Sequence, residues 1–150
     1  MINRKKPFQV YVLTGLLILL SMGALYGGGA LIVKPDGTLL GMKPWLSKIP
    51  FRNFLMPGII LFLMNGVLPL VTAIGLLVRF NVSWLERFNI YGNKYWAWTF
   101  SIYCGIITIT WIIVQQFVTD FFVLQPIVAL TGLLIITMAL IPAVIQYYTE

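Results

Sequence analysis

Four long runs of this chain carry no charged side chain: Pro7–Val33, Asn53–Val78, Tyr95–Thr119 and Phe121–Thr149. Each exceeds the ~20 residues a helix needs to cross the hydrocarbon core of a bilayer. Of the 150 residues, 60% are hydrophobic and 9% are charged, where soluble domains carry roughly 25% charge. Such a chain cannot clothe itself in a water-soluble surface. The expected fold is an all-α membrane protein: one domain, 1–150, a four-transmembrane-helix bundle with spans at about 8–33, 54–78, 96–118 and 121–147. A cytosolic enzyme, a secreted disulfide scaffold and a disordered chain are excluded.

What is missing narrows the chemistry. With no histidine there is no imidazole base and no imidazole metal ligand. Cys104 is the only cysteine, so no internal disulfide and no redox pair can form. Asp36, Glu86, Asp120 and Glu150 are the only acids, and none lies deep in an apolar run. No metal and no cofactor are expected. The net charge of +6 belongs with anionic lipid headgroups rather than nucleic acid.

The basic residues set the orientation. Arg4, Lys5 and Lys6 precede the first span, and Arg79, Arg87 and Lys94 separate the second from the third. Lys34, Lys43, Lys48 and Arg52 lie between the first and second. Placing both termini in the cytoplasm puts six basic residues inside and four outside, as the positive-inside rule prefers. The basic start and the small residues at Ser21–Ala24 imitate a signal peptide. The apolar stretch continues to Val33, beyond the ~7–15 residues of a signal core, so it reads as a retained helix.

In the first span, Gly23 and Gly27 form a GxxxG pair and Ala24 and Gly28 repeat the spacing, a face that lets another helix approach closely. Its partner is another helix of the chain or, in a homo-oligomer, a second copy or other membrane protein docking through Gly23 and Gly27. The triplet Gly27–Gly29 weakens the helix and can end it near Gly27. Lys34-Pro35-Asp36-Gly37 has type I turn chemistry, and apolar flanks on either side predict a short outer β-hairpin. Pro44 suits the start of a short helix, Trp45–Lys48. Asp36, Gly37, Lys43, Trp45 and Arg52 mark this loop as a candidate outer surface, its cations fitting lipid headgroups.

The second span holds Asn65-Gly66-Val67-Leu68-Pro69. Pro69 cannot bond to the carbonyl of Asn65 and predicts a kink at mid-membrane. An amide there needs a partner, and Thr108 or Thr110 of the third span can supply one. Asn65 and Pro69 are therefore the candidate intramembrane site. Ser83-Trp84-Leu85-Glu86 fits a capping box opening an interfacial helix. Thr119-Asp120 is the whole connection between the last two spans, and Asp120 is placed to cap the fourth. Gln115, Gln116, Asp120 and Gln125 form the densest polar cluster, expected just beneath the first loop.

Pro35-Asp36-Gly37, Leu40-Gly41-Met42, Pro50-Phe51, Asn53-Phe54-Leu55 and Pro57-Gly58 form a pattern that resembles small, uncharacterised bacterial four-helix integral membrane proteins. The resemblance covers the first two helices and implies a four-helix membrane architecture, with no activity to carry over.

Three functions compete. The first is a non-catalytic membrane protein, a structural, accessory or sensory subunit that binds a lipid or protein partner. The second is a small oligomeric transporter or channel for a neutral solute, working at the kink. Proton coupling is disfavoured because no acid lies within a span. The third, an enzyme acting on lipid, lacks a nucleophile with a base and ranks last.

Overall fold

A computed structural model describes residues 5–150; Arg4, counted above in the basic cluster, lies outside the described residues. Helix α1 spans Phe8–Val33 and α2 spans Leu55–Val78, with a π-helical turn at Leu61–Val67. A short α3, Ser83–Glu86, precedes α4, Trp96–Val118. Then come α5, Leu124–Ala139, and α6, Pro142–Tyr147. Helices α1, α2 and α4 are each long and apolar enough to cross a membrane.

The last apolar run is divided rather than continuous. Helix α5 has 16 residues, about 24 Å at 1.5 Å per residue. Ile141 is extended, at φ −63° and ψ 130°, because the ring of Pro142 excludes helical geometry from the residue before it. At the other end, Phe121–Val123 stay outside the helix.

Helix α1 packs along the whole of α2 and also against α5 and α6. Helix α4 packs against α2 and most extensively against α5. Two glycine crossings set these distances. A Cβ on Gly28 would lie 2.7 Å from the backbone nitrogen of Phe62 and 2.8 Å from the carbonyl oxygen of Gly58. A Cβ on Gly105 would lie 2.7 Å from the carbonyl oxygen of Gly132. The first crossing also explains why α1 runs through Gly27–Gly29 to Val33 instead of ending there. Backbone packing across the glycines outweighs their helix cost of about 1 kcal/mol each.

No β-strand occurs among the described residues; the one antiparallel bridge joins Lys94 to Thr149. The predicted hairpin is therefore replaced. Thr38–Leu40 and Lys43–Lys48 are 3₁₀ helices, the second opened by Pro44. The reason is local. Leu31-Ile32-Val33 belongs to α1, so no strand stands opposite the turn. Instead the Asp36 carboxylate accepts from the Thr38 N–H at 3.0 Å and hydroxyl at 2.7 Å, which winds the chain helically.

Candidate functional site

The π-helical turn sits midway along α2, where the sequence predicts a kink. At its end the Leu68 N–H bonds to the carbonyl of Leu63, five residues back. Pro69, which has no N–H, follows immediately and is buried. Ser21 of α1 donates to the Gly66 carbonyl at 2.7 Å. A widened turn frees backbone groups, and a neighbouring hydroxyl satisfies one of them.

Asn65 lies in this turn, 2% exposed. Of its two candidate partners the fold selects Thr108, whose hydroxyl donates to Asn65 Oδ1 at 2.8 Å. That hydroxyl also lies 2.7 Å from the Cys104 carbonyl. It has one hydrogen, so the contact is equally served with the amide turned to donate to it. In either orientation one end of the amide is left over, and Asn65 Nδ2 has no partner among the described residues. Cys104 is buried beside the Thr72 hydroxyl, 3.8 Å away.

A groove of about 340 Å³ runs between α2 and α4 over this position. Ile60, Met64 and Asn65 line one wall, and Ile106, Ile107, Thr110, Trp111 and Val114 the other. Ile60, Met64, Ile106 and Val114 are all exposed, so it opens sideways on the outside of the helices. No titratable side chain lines it.

The polar cluster at the loop end divides in two. Gln125, fully buried, accepts from Gln116 at 2.7 Å and donates to the Thr119 hydroxyl at 2.9 Å. It also accepts from the Phe122 N–H at 3.3 Å. The Gln115 carbonyl accepts from the Thr119 hydroxyl at 3.0 Å. Asp120 turns away from them. Its carboxylate accepts from the Trp45 indole at 2.9 Å and from Lys48 at 2.7 Å, while Trp45 stacks on Phe122 with ring centroids 5.7 Å apart. Asp120 therefore clasps the first loop and does not cap the last helix, whose preceding residue is Val123 with no side-chain cap. The two bonds hold the Asp120 carboxyl below its ordinary pKa. The bonds from Thr38 do the same for Asp36.

Elsewhere in the loop, Gly37 adopts φ +77°, and a Cβ there would strike the Phe54 ring at 2.9 Å. The Phe54 N–H bonds to the Pro35 carbonyl at 2.7 Å, so the turn is fastened to the start of α2. Lys43 and Arg52 are exposed and stand outside the clasp. The Gly23–Gly27 pair is split. A Cβ on Gly27 would lie 3.5 Å from the Leu61 side chain of α2, whereas Gly23 is exposed with nothing within 4 Å of a Cβ. The capping box does not form: Val82 precedes α3 with no side-chain cap, and Glu86 instead accepts from Asn89 at 3.3 Å.

One centre lies beyond the sequence expectations. Arg79 ends α2 in a left-handed conformation, φ 48°. Its guanidinium donates to the Tyr147 carbonyl at 2.7 Å. It also sits 4.8 Å, 5.2 Å and 5.7 Å from the ring centroids of Tyr147, Tyr148 and Tyr95. The Tyr148 hydroxyl donates to the Leu76 carbonyl at 2.7 Å, and Tyr95 and Trp96 both donate to the Phe80 carbonyl. The only sequence signal was a cation directly after a span and three tyrosines at the same end of the molecule. No family model, curated protein or solved structure matches the chain.

Proposed function

We propose that the chain is a four-span integral protein of the cell membrane, with both termini in the cytoplasm. It acts without catalysis, as a structural, accessory or sensory subunit that binds a lipid or protein partner within the bilayer. The observation that carries this reading is the exterior. Ile18, Leu19, Met22, Leu63, Met64, Ile106, Ile113 and Leu133 are exposed along the middle of the helices. The described charges are confined to the connections and the two ends. Water would penalise such a surface at roughly 25 cal/mol per Å²; lipid does not. In this arrangement α5 and α6 together make the fourth span. Gly23, exposed on α1, stays available to a second copy or another membrane protein.

The protein is expected to float with phosphatidylcholine vesicles and to resist alkaline extraction. Cysteines introduced at Ser47 and Gly92 test the orientation. An impermeant maleimide applied to intact cells should label Ser47→Cys and spare Gly92→Cys. If crosslinking in native membranes captures neither lipid nor protein and the purified protein is monomeric, the binding role fails. The second reading, a small oligomeric transporter or channel for a neutral solute, draws on the π turn and Pro69 at mid-span. Liposome flux unchanged by Asn65→Leu would remove it.

A further inference from the structure

Resting on the membrane reading above, we infer that the end of the molecule opposite the first loop docks anionic phospholipids, with segment 83–91 in the headgroup layer and Arg79, Arg87 and Lys94 on the phosphates. The segment is fixed in place. Leu85, 1% exposed, belongs to the core. The Tyr103 hydroxyl of α4 donates to the Phe88 carbonyl at 2.9 Å. Asn89 donates to the Lys94 carbonyl at 2.7 Å and accepts from the Thr99 hydroxyl at 2.6 Å. So anchored, the segment still holds Trp84, Phe88 and Ile90 outward, 62%, 62% and 71% exposed. At a membrane surface such side chains reach the acyl boundary.

Five described cations gather at this end, Lys5, Lys6, Arg79, Arg87 and Lys94, against the carboxylates of Glu86 and Glu150. None is ion-paired; the one pair among the described residues, Lys48–Asp120, lies at the loop end. Two of the five are held ready. Arg79 rests on three tyrosine rings and bonds to the Tyr147 carbonyl. The residue is exposed, and its remaining guanidinium donors bond to no described residue. Lys94 lies 5.9 Å from the Trp98 ring centroid and donates to the Thr149 hydroxyl. Arg87, beside Phe88, is exposed, and its side chain bonds to no described residue. A cation already pinned loses little freedom on meeting a phosphate, and a guanidinium fork matches the phosphate oxygens. The occupant follows from charge and apolar surface lying together. A soluble anion would leave Trp84, Phe88 and Ile90 in water. A zwitterionic lipid brings no net charge to five cations. An anionic phospholipid supplies both a tail and a charge.

The test uses the full chain in vesicles of phosphatidylcholine and phosphatidylglycerol, in a Trp45→Phe, Trp111→Phe background. Every remaining indole then lies at this end, and Trp96 and Trp98 are buried, so Trp84 reports contact with brominated acyl chains. Brominated phosphatidylglycerol should quench more than brominated phosphatidylcholine, with a relative association constant of about five or more that falls toward one in ~1 M salt. Arg87→Gln, which breaks no contact, should lower the preference about twofold to fivefold, and Arg79→Gln about as much. Lys43→Gln, at the loop end, should leave it unchanged. Equal quenching by the two lipids overturns the inference. A preference unchanged by Arg87→Gln does so too, as does one that Lys43→Gln lowers equally. Loss of the preference on adding inorganic phosphate at matched ionic strength assigns the cations to a soluble anion and likewise overturns it. A chain that floats with phosphatidylcholine but is quenched equally by both lipids keeps the membrane reading and loses this site.

Discussion

At the scale of single residues, close packing follows the Ala24–Gly28 repeat rather than the Gly23–Gly27 pair one position before it. Helix α1 is apolar on every side, so its sequence does not say which stripe faces a neighbour. Gly28 meets the backbone of α2, whereas Gly23 is open. A methyl group at Gly28 would have to displace main chain, which cannot turn aside as a side chain can. Gly28→Ala should therefore destabilise the fold by about 1–3 kcal/mol, whereas Gly23→Ala should stay within about 0.5 kcal/mol of the parent. Unfolding in mixed detergent micelles measures both, and equal effects would place the helix contact elsewhere. Asn65 was legible for a different reason. An amide amid apolar residues declares its need for a partner, and Thr108 was one of two hydroxyls at the right height. The left-over amide end and the groove beside it depend on helix rotation, which no spacing in the sequence encodes.

At the scale of elements, three long apolar helices and the short helices opened by Pro44 and Ser83 were legible, whereas the break in the last apolar run and the shape of the first turn were not. Apolar length identifies α1, α2 and α4 because lipid imposes a length requirement. The first loop was misread because a Pro-Asp-Gly turn is shared by hairpins and helical turns, and only tertiary contacts choose between them. Here the choice is made by Phe54 against Gly37 and by Asp120, 75 positions beyond Trp45. The clasp carries its own pH dependence. The Asp120 pKa is lowered from an ordinary 3.8 by bonds from Lys48 and Trp45. A carboxylate with a lowered pKa contributes its stabilisation above the unfolded value, and that contribution is lost as pH falls through the folded one. The clasp should thus hold at neutral pH and open below about pH 4. With 5-fluorotryptophan incorporated, the ¹⁹F resonance that Trp45→Phe removes should move in that acidic range. Asp120→Asn should abolish the movement, and a resonance insensitive to both would show that the clasp does not form.

At the scale of the whole molecule, the two ends are fastened by different physics. The loop end is held by a solvated ion pair, its side chains 47% and 69% exposed, and water and salt screen such pairs so that they add little to stability. The opposite end is held chiefly by the buried Tyr95 and Tyr148. The Tyr95 N–H bonds to the Tyr148 carbonyl at 3.0 Å, and the Glu150 N–H to the Asn93 carbonyl at 3.0 Å. The fully buried Tyr148 ring stacks on Tyr95 at 5.9 Å. These contacts tie α6 to α2 and α4 despite the break at Pro142. Each hydrogen bond contributes about 0.5–1.5 kcal/mol, and the aromatic stack a similar amount. Deleting residues 148–150 should therefore lower unfolding free energy by about 2–4 kcal/mol, whereas Asp120→Asn should leave it close to that of the parent. Tyr148→Phe keeps the ring and loses only the bond to Leu76, so it should cost less than the deletion, about 1 kcal/mol. Burial also raises the Tyr148 pKa above its ordinary 10.0. A phenol so raised stabilises the fold fully below that value and progressively less above it. The parent protein should accordingly lose stability as pH rises past about 10, and Tyr148→Phe should lose less. If deletion of the tail and loss of the Asp120 charge proved equally mild, the fold would rest on α1, α2, α4 and α5, with α6 merely laid against them.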